Sequence, residues 1–419
     1  MDLLEYAALS HGGTDWSEAF SQAVAGLRRQ GGGVLTVPPG DYPTGPIRLC
    51  SHMTLEIQSG ATLRFLQDKR AFPMVPLEFE GIAKDLPMPC LFAEDEEFVT
   101  VTGGGAVDGQ GSYWWELLKE TNHKHPRPYL VCFSRCRHVT IENILLTNSP
   151  CWTVHPLRCQ DVSIRDLRIS NPQHSPNTDG INPDACQDVR IDGCTIDVGD
   201  DCIAIKSGTE DTPDRRPCER IIIRGCHFLH GHGGVVLGSE MSGGIRDVVV
   251  SDCIFYNTDR GVRLKTRRGR GGVVENIRMS NLTMRRVLCP FVFNMYYSGF
   301  NHTEPQYVWD KAPYPVNEST PCLRDVLITG VVAKECTACA GYFHGLAEMP
   351  VQGIVLRDVL VEMTDAGEPD YPAMVDDCPK MQGAGLFLRN ARDVDLSGLK
   401  LLNVRGEPRD IDESVSMVF

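Results

Sequence analysis

The fold class this sequence predicts is an all-β solenoid of strand-and-turn coils, and three observations predict it. A V/I-x-I/V/M anchor begins at Val139, Val162, Val189, Ile221, Val248 and Ile277, with steps of 23, 27, 32, 27 and 29 residues. Between the anchors lie short β-branched runs broken by Gly, Asn, Asp and Pro, the composition of a stacked repeat. Third, one segment of each coil falls in a common frame. It reads Asp179-Gly-Ile-Asn, Asp201-Cys-Ile-Ala-Ile-Lys, Gly233-Gly-Val-Val-Leu-Gly and Arg260-Gly-Val-Arg-Leu-Lys. In that frame Asp179 stacks with Asp201, Asp200 with His232, and Lys206 lies in the column of Lys265.

Anchor-like segments run from Met53-Thr54-Leu55-Glu56-Ile57 to Val394-Asp395-Leu396, so residues 1–419 read as a single domain. A hydrophobic content of 42% suffices for one long core. Residues 14–30 predict an amphipathic helix that caps the open end of the stack. Thr14 or Asp15 would be its N-cap with Glu18 near the capping-box position, and Gly31-Gly32-Gly33 would stop it. Its apolar stripe is Ala19, Phe20, Ala23, Val24 and Leu27. The strand Val34-Leu35-Thr36-Val37 then opens the coils. Three insertions interrupt the repeat, at about 113–127, 300–320 and 365–382. Loops of this kind gather on one face of a solenoid and build its binding cleft.

The net charge of -14 argues against a nucleic-acid partner and makes basic residues near the motifs conspicuous. No stretch approaches the roughly 18 apolar residues that span a bilayer, so no membrane partner is expected. The N-terminus shows no basic segment followed by an apolar run. With an odd count of 17 cysteines, this predicts reduced thiols and a cytoplasmic location. Cys194, Cys226 and Cys253 share one repeat position and read as an inward ladder of small apolar side chains. No cysteine or histidine spacing supports zinc, and no metal site is expected.

Each motif alone has an ordinary structural reading. Asn177-Thr178-Asp179-Gly180 and Gly199-Asp200-Asp201 are turn sequences, His232 can be a turn histidine, and Arg263 and Lys265 can be exposed strand charges. Their convergence at one phase of consecutive coils favours catalysis, because three carboxylates, a histidine and two cations meet on one patch.

NTDGINPDAC, GDDCIAIKSG, GHGGVVLGSEMSGG and RGVRLKT resemble the four signature motifs of the polygalacturonases, glycoside hydrolase family 28, and bacterial exo-polygalacturonase-like members among them. The stretch GGTDWSEAFSQAV…GGGVLTVPPGDYPTGPIRLCSHMTLEI also looks like that family's opening, and the resemblance covers about residues 10 to 400. It implies a right-handed parallel β-helix that hydrolyses α-1,4-linked galacturonic acid with inversion, without metal or cofactor. Leu264 replaces the usual isoleucine, and Asn182 stands where Asp is common. Neither departure is expected to touch the chemistry.

Inverting hydrolysis needs an acid for the leaving oxygen and a carboxylate that activates water, about 6.5–9.5 Å apart. Asp200 is the expected acid, with Asp179 and Asp201 holding the water, and crowding should raise at least one pKa. In the family, too, the first Asp of the pair is taken as the acid. Replacing any of the three by Asn should then spare the fold. His232 would tune the acid. Arg263 and Lys265 would bind substrate carboxylates, and Asn177, Lys206, Tyr296 and Tyr297 complete the expected binding set, the tyrosines as rings for a sugar. His155, Arg267 and Arg268 are further candidates. The expected partner is a galacturonic-acid-containing oligosaccharide or polysaccharide, attacked from a chain end. Alternatives are a rhamnogalacturonan or xylogalacturonan oligomer as substrate, a calcium-dependent pectate lyase on the same fold, and a non-catalytic carbohydrate-binding β-helix.

Overall fold

The computed structural model describes residues 1–123, 125–298 and 302–418. The parts of the expected insertions that fall on Lys124 and on residues 300 and 301 lie outside the described residues. The chain divides into two compact units, Met1–Asp200 and Asp201–Phe419.

In the first unit, parallel strands stack coil upon coil, and the anchor residues form continuous columns. Val99, Val139, Val162 and Val189 pair in one column, and Leu35, Leu55, Val101, Ile141, Ile164 and Ile191 in its neighbour. A third column runs Tyr42, Leu63, Val107, Leu146, Ile169 and Ile196. All of these side chains are buried. The in–out alternation along each strand turns the β-branched residue of every coil into the same core.

Helix α1 covers Ser17–Gln30, and its buried stripe is the one patterned in the sequence. Gly31 ends it in the left-handed conformation, φ 84°. Its start differs from expectation. Trp16 takes the cap position, because its indole sinks against Tyr42 (ring centroids 4.9 Å apart) and its backbone N–H donates to the Pro43 carbonyl at 2.7 Å. Asp15 still serves the helix end by accepting from the Ser17 backbone at 2.9 Å. The insertion at 113–127 begins with a second helix, α2 (Gly111–Glu120), which buries Trp114 and Leu118. An antiparallel hairpin, Met74–Phe79 with Ile82–Pro87, is a further insertion that the repeat pattern did not disclose.

The second unit repeats the plan. Ile221, Val248, Ile277, Val326 and Ile354 pair in one column. On another face Ile203, Val235, Val262 and Phe291 align, and beside them Ile205, Leu237, Leu264, Phe293, Phe343, Leu388 and Ile411. This is the frame expected from the motifs. All 17 cysteines are free. The predicted ladder thiols Cys194, Cys226 and Cys253 are buried and point back to carbonyls two residues upstream, at 3.5, 3.3 and 3.2 Å. Among the described residues, no helix is long and apolar enough to cross a membrane.

Candidate active site

Two carboxylates of the first unit are set by its last coil. Asp179 is buried, and Asn182 Nδ2 donates to its Oδ2 at 3.1 Å. The turn beneath is fixed by Thr178, whose hydroxyl contacts that of Ser175 at 2.5 Å and accepts from Gly199 N at 3.2 Å. A side chain at Gly199 would meet the Ser175 carbonyl at 2.4 Å, so only glycine lets Asp200 follow here. Asp200 is half-buried, and its nearest oxygen lies within 4.8 Å of one on Asp179. That is closer than the expected ~6.5–9.5 Å, and it is a span one water bridges with two ordinary hydrogen bonds. Asn177, expected to meet substrate, accepts from Arg127 Nη2 at 2.7 Å. The same guanidinium holds the carbonyls of Pro176 and Pro150 at 2.7 and 3.0 Å. The 113–127 insertion therefore pins the Asn177 turn.

Asp201, the next residue in the chain, opens the second unit and is 1% exposed. Lys265 Nζ donates to its Oδ2 at 2.8 Å, and Arg263 Nη1 approaches its Oδ1 at 3.4 Å. The register explains the meeting: Ala204, Val236 and Arg263 share a column, and Lys265 follows two residues on, on the same face. Burial alone would raise the Asp201 carboxyl. Lys265, then Arg263, and more weakly His232 outweigh it and hold the group well below the usual carboxylate range. Asp201 is thus a permanently ionised group, suited to hold and polarise water and not to donate a proton. His232 itself is exposed. A side chain at the following Gly233 would lie 2.4 Å from Val236 and 3.1 Å from Asp201 Oδ1, which explains the second glycine of Gly-His-Gly. The Tyr297 ring covers both cations, with Arg263 Cζ at 5.6 Å and Lys265 Nζ at 5.1 Å from its centroid.

Several expected binding residues are occupied elsewhere. Lys206, expected in the binding set, is buried and pairs with Glu240 at 2.7 Å. Burial opposes ionisation of Glu240, but Lys206 and Lys265 pull its pKa down to about 2. Tyr296 is 0% exposed and sits against His344 and under Lys311, so its ring offers no face to a sugar. Arg268 is also internal. It pairs with Glu348 at 2.6 Å and holds the carbonyls of Tyr307, Asp310 and Ala312, which fastens the 300–320 insertion. Arg267 pairs with Glu210 at 2.9 Å, and His155 is packed between Tyr129 and Trp152.

Residues 36–366 match the sequence pattern of glycosyl hydrolases family 28. The chain belongs to that family. A probable polygalacturonase of Vitis vinifera is 34% identical over 375 residues, spanning 86% of this chain and 74% of its own. A hyperthermoactive exopolygalacturonase from Thermotoga maritima superposes with a TM-score of 0.79 at 30% identity, over 97% of this chain and 92% of its own. The fold recurs in the Yersinia enterocolitica family 28 exopolygalacturonase, with a TM-score of 0.81 at 18% identity over 99% and 77%. The fold class is the right-handed parallel β-helix, and the family makes this chain a glycoside hydrolase. That sets aside the lyase and the non-catalytic readings.

Asn182 is a site residue that the sequence reading missed, having been taken for a neutral departure from the family pattern. Its amide donates to Asp179 Oδ2 and so helps to aim that carboxylate. Asn182→Ala is expected to lower kcat by about ten- to a hundredfold, because a misaimed carboxylate loses its near-attack geometry. Steady-state kinetics beside a thermal melt separates this from unfolding.

Proposed function

We propose that this family 28 hydrolase cleaves α-1,4-linked galacturonate oligomers with inversion, releasing single units from a chain end. The observation that carries the reading is the buried pair of cations, Arg263 and Lys265, gathered at Asp201 beneath the Tyr297 ring. A neutral sugar needs no such pair, whereas a carboxylate-bearing sugar gains charge-assisted hydrogen bonds from it. Asp200 is the proton donor, and Asp179 and Asp201 hold the attacking water. Chain continuity supports their acting together, since Asp200 and Asp201 are adjacent and Asp200 lies within 4.8 Å of Asp179.

End-on attack is supported by the way the 365–382 insertion is fastened beside the cations. Lys265 pairs in register with Asn294, and Asn294 Nδ2 donates to the Met374 carbonyl at 2.9 Å. Arg260, on the same strand, holds the Tyr371 and Pro372 carbonyls at 2.6 and 3.1 Å, and Ser298 donates to Asp376 at 2.7 Å. A wall tied down at this many points restricts how far a polymer can extend past the cations. Galacturonate monomer is the expected dominant early product from the trimer, with little viscosity loss per bond cut in polygalacturonate. Rapid thinning with mid-length products would refute the end-on reading and leave the hydrolase intact. The short carboxylate separation taken alone also suits a retaining pair. Proton NMR of the first product therefore decides the stereochemistry: β-anomer is expected, and α-anomer would refute inversion.

A further inference from the structure

The hairpin Met74–Phe79 and Ile82–Pro87 does more than decorate the first unit. Its Glu80-Gly81 turn has φ of 52° and 74°, the left-handed pair that a two-residue hairpin requires. Leu77 and Leu86 bury into a cluster with Phe92, Tyr129 and Trp152, and Tyr129 Oη donates to the Glu78 carbonyl at 2.6 Å. Phe79 stacks on Trp152 with centroids 5.4 Å apart. The hairpin is therefore a rigid wall, held by apolar packing.

Facing it is the segment that follows α2. Between them lies a pocket of about 200 Å³, with Phe79, Leu86 and Leu118 as its apolar surface. Its polar lining is Lys84, His123, His125, Arg127 and Glu80, and it reaches Asn177. The fixed cations Lys84 and Arg127 outnumber the carboxylate Glu80, in a chain whose net charge is -14. Arg127 is spent on backbone carbonyls and on Asn177 Oδ1. His125 Nδ1 donates to the Pro126 carbonyl at 2.8 Å. Among the described residues, the Lys84 and His123 side chains have no hydrogen bond or ion pair. An apolar wall with a few convergent cations fits a sugar that carries a carboxylate.

We propose that this pocket is a remote subsite for the third galacturonate unit, with Lys84 and His123 receiving its carboxylate. Asn177 joins the pocket to the turn that carries Asp179, so one bound chain can occupy both. The inference rests on the uronate reading above and adds to it a binding wall that lies outside the four motifs.

The test compares wild type, Lys84→Met and the double variant with His123→Gln on trigalacturonate and on its methyl ester. Both side chains are exposed, so the fold should survive. Expected is a KM for trigalacturonate raised about tenfold in the double variant with kcat held, and no such rise on the ester. An unchanged KM, with wild type active on the trimer, overturns the subsite and leaves the hydrolase reading standing. An equal rise on both substrates also overturns it, because the residues would then only shape the wall. Wild type inactive on trigalacturonate would overturn the uronate reading and the subsite together.

Discussion

Asp201→Asn is expected to abolish turnover and to lower stability in the same protein. Removing a water-activating carboxylate costs about 10³-fold in kcat. The sequence alone suggests that such a change spares the fold, since the aspartates serve chemistry. The structure says otherwise for this one. Arg263 and Lys265 are 2% and 7% exposed, and Asp201 is their shared counter-ion. Neutralising it leaves two buried cations facing each other, and breaking a buried pair of this kind costs about 3 kcal/mol. The folded-state pKa of Asp201 lies below its unfolded value. Its contribution is therefore present above the ordinary carboxylate range and is lost as pH falls through the depressed value. The variant should melt earlier than wild type near neutral pH, and the difference should shrink in strong acid. Melting curves from pH 7 downwards check this. An unchanged melting temperature at neutral pH would mean that the two cations find other partners.

Most of the architecture was legible because a parallel coil has one rule, repeated. A β-branched anchor must face the core in every turn, so Val139, Val162 and Val189 in one unit and Ile221, Val248 and Ile277 in the other had to stack, and they do. The same rule brought Arg263 and Lys265 to one face. What the repeat cannot reveal is anything that leaves it. The Met74–Phe79 and Ile82–Pro87 hairpin carries no anchor, and its one signal, Glu80-Gly81 between apolar runs, is short. Partners distant in sequence were equally hidden. Lys206 reads as a cation in the column of Lys265 until Glu240, 34 residues on, is seen to hold it. Tyr296 and Tyr297 look equivalent in sequence. Only packing decides that the first is enclosed while the second covers the cations. Asn182 looked neutral because the motif frame places Asp179 against the next coil and does not show a side chain three residues on turning back to it.

Asp200→Asn makes the sharpest contrast with its neighbour. The two residues are consecutive and the substitution is the same, yet only the kinetic loss should be shared. Asp200 is half-buried where Asp201 is enclosed as the counter-ion of two buried cations, so its replacement should cost less stability than the roughly 3 kcal/mol expected for Asp201. As the proton donor to the leaving oxygen, however, it should cost about 10³-fold in kcat when its proton is gone. Asp179→Asn in the same protein should add little further, because groups that act as one unit give strongly non-additive losses. Their oxygens already lie within 4.8 Å of each other, so both serve one reacting bond. The measurements are kcat for the two single variants and the double, beside a melt of each. An Asp200→Asn protein that keeps a tenth of wild-type turnover would remove Asp200 from the role of acid. Losses that multiply in the double variant would separate Asp179 from it as an independent contributor.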